Sequence, residues 1–221
     1  IRGTDPRRIA TLRRELRILA AVDHPNIVRV IELDRDSDGY FLLIEFVEGC
    51  DIGTYCANDR LDRLAGTLPQ LLSALRHLHE NGVAHGDLKP HNVLVRTDGL
   101  LKLVDFGLSA FEDDGGAGGT PRYWAPEQLR GVRANPATDA WALGQLLERL
   151  CQEPTPEVLG RAIKRLACPD PAQRPSIAEL QRLLVPALGA SHAANSTRST
   201  APSTLAGRDR LLARLRGSQR A

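Results

Sequence analysis

The stretch His85-Gly86-Asp87-Leu88-Lys89-Pro90-His91-Asn92, followed by Asp105-Phe106-Gly107, decides the reading of this chain. Asp87, Lys89 and Asn92 fall on one short loop and supply a carboxylate, a cation and an amide oxygen. Asp105 follows the next pair of short strands and supplies a second acidic group. Phosphoryl transfer asks for such a set: a carboxylate to orient the attacking hydroxyl, and cations to neutralise charge spread over the moving phosphoryl group. Mg²⁺ takes oxygen ligands, one or two carboxylates completed by phosphates, and Asn92 with Asp105 fits that need. Taken singly, each residue reads as a surface charge in a turn. The ordered set H-x-D-x-K-x-x-N, strand pair, D-F-G points to chemistry.

Around this stretch the patterning is mixed helix and strand. Strands are predicted at Asn92–Val95 and Leu101–Val104, joined by a turn at Thr97-Asp98-Gly99. Upstream, residues 61–81 read as a helix with Leu64, Leu68, Leu71, Leu72, Leu75 and Leu78 on one side and Asn81-Gly82 as its stop. Ile27–Leu33 and Tyr40–Val47 read as a hairpin about Asp34–Gly39, and Gly49–Asp51 breaks the pattern. A first helix is expected from Asp5-Pro6 to Asp23-His24-Pro25. Downstream, a Gly-rich loop at Asp113–Gly119 reads as flexible, and residues 137–151 are apolar around most of a helix, which belongs in a domain's middle. Two further helices fit 156–167 and 176–184, and Pro186–Thr204 reads as an Ala/Ser/Thr/Pro linker.

Composition bounds the classes. The chain has 221 residues, net charge +2, 42% apolar and 25% charged residues, which excludes wholesale disorder, a collagen-like fibre and a membrane bundle. The charge balance gives no reason to invoke nucleic acid. Apolar runs such as Phe41–Ile44 are far too short for a membrane span, and no secretory signal is read, so a cytoplasmic protein is expected. Cys50, Cys56, Cys151 and Cys168 match no zinc spacing and are expected to be reduced thiols. Met is absent, and of 29 Lys and Arg only Lys89, Lys102 and Lys164 are Lys. The missing Met, with Ile1 first, reads as a piece of a longer chain, and the Arg excess as a GC-rich genome.

The sequence resembles the eukaryotic-type serine/threonine protein kinase family, in its bacterial branch, from about Asp5 to Leu184. Gly119-Thr120-Pro121-Arg122-Tyr123-Trp124-Ala125-Pro126-Glu127 looks like the family's substrate-facing loop and Ala-Pro-Glu segment. Asp139-Ala140-Trp141-Ala142-Leu143-Gly144 looks like the start of its central helix, and Asp170-Pro171-Ala172-Gln173-Arg174-Pro175 like its late motif. The resemblance implies an α+β, bilobal protein-kinase-like fold: a partial N-lobe of one helix and two strands on a mainly helical C-lobe. The expected domains are 1–48 (partial N-lobe), 49–185 (C-lobe), a linker at 186–206 and a basic helix at 207–221.

The implied roles follow residue by residue. Asp87 accepts or orients the substrate hydroxyl proton, and Lys89 steadies the γ-phosphate of ATP and favours Ser/Thr acceptors. Asn92 and Asp105 bind Mg²⁺, and Thr120 contacts Asp87. Ile44 is the gatekeeper, and Glu45, Phe46 and Val47 form the hinge whose backbone meets adenine. Leu94 packs under adenine, with Val104 beside it, and Asp51 contacts ribose. Glu15 is the mobile-helix carboxylate. Leu19, Val30, His85 and Phe106 stack as a regulatory spine anchored on Asp139, and Glu127 pairs with Arg174. The expected ligands and partners are ATP, Mg²⁺ and a protein carrying a Ser/Thr acceptor.

Some features depart from that pattern. The Gly-rich nucleotide loop and the strand-three Lys are absent, no Lys preceding Lys89. These 221 residues alone are therefore expected to be weakly active or inactive. Gly86 stands where many kinases carry Arg, and Ser109 is the one hydroxyl in the loop before Thr120, so loop phosphorylation is not the expected switch. Only 34 residues separate Asp139 from Arg174, leaving no room for a helix the family usually places there. Residues 205–215 resemble the entry to AAA-type ATPase modules, while a basic tail or surface-binding helix reads the same residues equally well. Two rival functions stand beside the kinase: a silent pseudokinase scaffold for a fused ATPase, and a small-molecule phosphotransferase. Intact Asp87, Asn92 and Asp105 oppose the first. Thr120, the Ala-Pro-Glu segment and Arg174-Pro175, which suit a protein-substrate platform, oppose the second.

Overall fold

A computed structural model describes residues 22–36, 39–105, 121–151 and 155–196. The expected first helix with Glu15 and Leu19, Phe106, the Gly-rich loop, Thr120 and the basic C-terminal segment lie outside the described residues.

Two small antiparallel sheets precede the main run of helices. Strands β1 (Val30–Asp36) and β2 (Gly39–Ile44) pair as a hairpin, with an irregularity between Val30 and Glu32. The strands run further into the Asp34–Gly39 segment than the turn chemistry suggests. Ile27 does not join the hairpin. It forms a parallel bridge with Leu103, where Val28 N donates to Leu103 O at 2.9 Å and Leu103 N to Asn26 O at 2.8 Å.

The second sheet has the order β3 (Gly49–Asp51), β4 (Val93–Arg96), β5 (Leu101–Leu103). The segment read as a break is thus a strand. Its first residue has to be small: a Cβ on Gly49 would stand 2.2 Å from Val95 O, across the β3–β4 ladder. Three residues, one of them Gly, show no alternation, so period-two patterning has nothing to register.

Helix α1 (Ile52–Tyr55) is a single turn capped by Asp51, and α2 (Arg60–Glu80) follows. All six leucines of the α2 stripe are buried. Each stabilises the fold by about 1.5–3 kcal/mol relative to an exposed side chain. The helix ends as Asn81-Gly82 suggests. Gly82 sits at φ +72°, its N–H bonds His79 O, and the Val83 N–H bonds Leu78 O, the paired closure of a glycine-terminated helix.

Helix α3 (Pro136–Leu150) starts with an Asn135/Thr138 capping box and Pro136 in its first turn. It is buried on several sides by Ala140, Ala142, Leu143, Leu146, Leu147 and Leu150, and it also buries Thr138 and Asp139. Helix α4 (Glu157–Leu166) packs on α3.

Helix α5 (Ile177–Ser196) runs into the segment expected as a linker at 186–206: its backbone remains helical through Pro186 to Ser196, while 197–206 lie outside the described residues. A proline inside a helix removes one hydrogen bond. Here Leu180, Leu184 and Leu188, spaced by four residues, are all buried, so apolar packing continues across the break. The compact body ends at Gly189. All four cysteines are free. Among the described residues no helix is long and apolar enough to cross a membrane.

Candidate active site

The loop between α2 and β4 is held from below by one buried carboxylate. Asp139, in the first turn of α3, accepts from His85 N at 2.8 Å and Gly86 N at 2.9 Å, and from His79 Nε2 at 2.8 Å. The preceding loop cannot donate these amides to a regular ladder, so the side chain satisfies what secondary structure leaves open. Gly86 adopts φ +83°. His79 is the participant that sequence reasoning missed; its place on the buried side of α2, opposite Asp139, carries no local sequence signal.

His85 is fully enclosed. Its Nε2 lies 3.0 Å from Val104 O, an obligate acceptor, so Nε2 bears the hydrogen, and Nδ1 accepts from Asp87 N at 3.3 Å. Burial drives the imidazole pKa below its ordinary 6.5, against the opposing pull of Asp139 and Asp87. Val104 N in turn donates to Asn92 O at 2.9 Å, which fastens the start of the Asp105 segment to the loop.

On this base Asp87, Lys89 and Asn92 come together. Lys89 Nζ donates to Asp87 Oδ2 at 2.5 Å; Asn92 Nδ2 donates to the same oxygen at 3.1 Å and to Asp87 O at 2.8 Å. Asp87 Oδ1 is buried and has no hydrogen-bond partner among the described residues. The Asn92 amide nitrogen is committed to Asp87, so its oxygen is the atom left for a cation. Asp105 is exposed at a left-handed φ of +57°, a conformation that non-glycine residues adopt rarely and that clusters at functional sites.

The expected nucleotide contacts are less closely knit. Leu94 and Val47 are partly buried and pack on the core, and Val104 is buried; Val30, expected in the spine, is also partly buried against the core. Asp51 is the cap of α1: Oδ1 accepts from Gly53 N and Thr54 N, and Oδ2 from the Thr54 hydroxyl at 2.7 Å. Burial raises its pKa, but these hydrogen bonds outweigh that and leave it lowered.

Glu45 has a second occupation that was not foreseen. Its Oε1 accepts from Lys102 Nζ at 2.5 Å and from Arg29 N at 2.9 Å. Those bonds hold its carboxyl below the usual range despite the upward push of partial burial. Lys102 is buried in β5 between Leu101 and Leu103. A lysine flanked by leucines in a buried strand is the one sequence signal that could have found this pair.

Glu127 and Arg174 meet as a buried bidentate pair at 2.6 and 2.9 Å. Arg174 spends its other donors on Cys168 O, Ala137 O and Pro169 O, and stacks over Trp141 with its guanidinium carbon 5.1 Å from the ring centroid. All five guanidinium N–H groups therefore have acceptors. The hydrogen-bonded guanidinium holds the Glu127 carboxyl below its ordinary range, more strongly than burial raises it.

Residues 2–159 match the sequence profile of the family described as Protein kinase domain. The chain is 35% identical over 151 residues to serine/threonine-protein kinase PrkC of Bacillus subtilis, covering 64% of this chain and 23% of that protein. It is 37% identical over 147 residues to calcium/calmodulin-dependent protein kinase type 1 of Macrobrachium nipponense, covering 61% and 41%. It is 32% identical over 208 residues to CBL-interacting serine/threonine-protein kinase 9 of Arabidopsis thaliana, covering 78% and 46%. The chain thus spans less than half the length of each of these relatives.

Proposed function

Because the chain belongs to the protein kinase domain family, we propose that it transfers the γ-phosphoryl group of ATP to serine or threonine hydroxyls of a protein. The observation that carries this reading is the Asp87 carboxylate. One oxygen is fixed by Lys89 and Asn92, and the other is buried and without a partner among the described residues. A buried carboxylate oxygen left open is a strong acceptor. It suits an incoming hydroxyl whose proton must be oriented as its oxygen attacks.

In this reading the substrate oxygen bonds to the γ-phosphorus while the bond from that phosphorus to the bridging oxygen breaks. ADP leaves, and the hydroxyl proton passes to Asp87. Lys89, bonded to Asp87 on one side, presents its charge where negative charge spreads over the transferred group. Asn92 and Asp105 would hold Mg²⁺. They are a partial donor set, one amide oxygen and one exposed carboxylate, of the kind Mg²⁺ uses when phosphates complete its shell. When bound, the ion neutralises phosphate charge. His85, Gly86 and Asp139 position the loop and touch no substrate.

The test is transfer of radiolabelled γ-phosphate to a generic Ser/Thr protein by the full protein as its gene encodes it, beside an Asp87→Asn copy. We expect phosphoserine or phosphothreonine in the product, and a fall of about 10²–10⁴-fold in the variant. Equal transfer by both proteins would remove Asp87 from its assigned role. Transfer to an aminoglycoside but to no protein would replace the substrate class.

A further inference from the structure

We propose that the groove beside the acceptor site selects substrates carrying anionic side chains next to the phosphorylated Ser or Thr. This rests on the reading of Asp87 as the hydroxyl-orienting group. The groove, about 840 Å³, is lined by Asp51, Arg60, Lys89, His91, Arg122 and Arg149 among others. Lys89 belongs also to the Asp87 cluster. A peptide presenting its hydroxyl to Asp87 therefore has neighbouring residues within reach of this groove. Its volume lies in the upper part of the range for ligand sites, enough for more than one side chain.

The lining is one-sided in charge. It carries three arginines, a lysine and a histidine against one carboxylate. The whole chain has 29 basic and 27 acidic residues, so composition does not produce such a ratio. The single carboxylate, Asp51, already accepts three hydrogen bonds at the start of α1. Lys89 is paired with Asp87. Arg60, Arg122 and Arg149 have no acidic partner among the described residues. Arg149 lies in the last turn of α3, where a cation also suits the helix dipole, but that accounts for neither Arg60 nor Arg122.

Three guanidiniums around one concavity, with no acidic partner among the described residues, repel one another, and an anion between them relieves that repulsion. Guanidinium forks bind carboxylate and phosphate through two parallel hydrogen bonds. The same groove disfavours arginine or lysine beside the acceptor, because like charges juxtaposed weaken binding. The shared chemistry is an anionic side chain, supplied by Asp or Glu or by a residue already phosphorylated.

The experiment uses the full protein and four peptides, one Ser acceptor flanked by Glu, by phosphoserine, by Gln or by Arg. It reads kcat/KM for transfer and, independently of turnover, Kd by fluorescence anisotropy. We expect the Glu or phosphoserine peptide to exceed the Gln peptide by about tenfold in kcat/KM at low salt, and the advantage to shrink as salt screens exposed charges. Phosphoserine far above Glu identifies a primed substrate; equal values identify an acidic sequence. Arg60→Glu with Arg149→Glu should abolish the anionic preference, and the milder Arg60→Gln with Arg149→Gln should reduce it, each checked for a native melting transition. Equal kcat/KM and equal Kd for the Glu and Gln peptides overturn the proposal while the kinase reading stands. Acid-dependent, arginine-dependent binding with no transfer to any peptide overturns the kinase reading and keeps the groove.

Discussion

In the β1–β2 hairpin and its continuation, Ile31, Leu43 and Phe46 are exposed, while Val30, Ile44 and Val47 pack on the core, and the polar ties to the rest among the described residues run to β5. The ties are the Ile27–Leu103 bridge and the Glu45–Lys102 ion pair. In the helical body the charged groups are themselves buried, and each serves several partners. Asp139 receives three hydrogen bonds and Arg174 donates five. One region is held by a few separable ties, the other by polar hubs that cannot lose one member without stranding the rest. The chemistry proposed for Asp87 and Asn92, which needs fixed atoms, would sit on the second kind of support.

The sharpest way to break this contrast is Arg174→Met. It leaves Glu127 a buried, unpaired carboxylate, and removing one partner of such a pair costs about 3–5 kcal/mol. Denaturant unfolding should show that loss, and a change below about 1 kcal/mol would mean that the pair is solvated. Asp139→Asn comes next. Asparagine has one acceptor oxygen where the loop offers two backbone donors and His79 a third, so stability should fall by about 1–3 kcal/mol. Because the variant keeps the Asp87 side chain but loosens its loop, kcat should fall more than KM rises. A change in KM alone would deny the positioning role.

Acidification tests the two regions in sequence. His85 has a folded pKa below 6.5, so its neutral form is the stable one. Its contribution is whole above pH 6.5 and drains away as pH falls toward the folded value. Glu45 and Glu127 lie below their ordinary 4.5, so their contributions hold above pH 4.5 and are lost on further descent through the folded values. Thermal melting should therefore weaken first between pH 6.5 and 4.5, and His85→Gln should shrink that early phase, leaving the share of His24, whose imidazole burial also holds below 6.5. The smallest effect is expected from Lys102→Met, about 1 kcal/mol. Hydrogen exchange should quicken in β1 and β2 and stay slow in α3. Equal quickening in both would erase the distinction drawn here.

Much of this was readable from residue order, for reasons that differ by region. The α2 leucines repeat at helical spacing and end at Asn81-Gly82, so both the buried face and the stop are local properties. Asp87, Lys89 and Asn92 lie within six consecutive positions, and their convergence needs only a tight loop. What escaped depends on partners distant in sequence. Gly49 is a strand residue because of Val95 on β4, α5 passes Pro186 because Leu184 and Leu188 are buried, and Glu45 is tied by a lysine 57 positions away. Gln70 is the plainest case. Its side chain bonds Asn26, Gly99 O and Leu101 N at once, joining three segments, yet on α2 it reads as an ordinary polar position.

Cys56 forms part of the wall of the basic groove, and burial pushes its thiol up to about 11. At neutral pH, roughly one such sulfur in ten thousand is the nucleophilic thiolate. An electrophilic inhibitor seated in the groove would face a buried, protonated sulfur and find it inert. The same inertness makes Cys56 a clock, because alkylation by iodoacetamide can proceed only as often as the α1–α2 corner opens to admit the reagent.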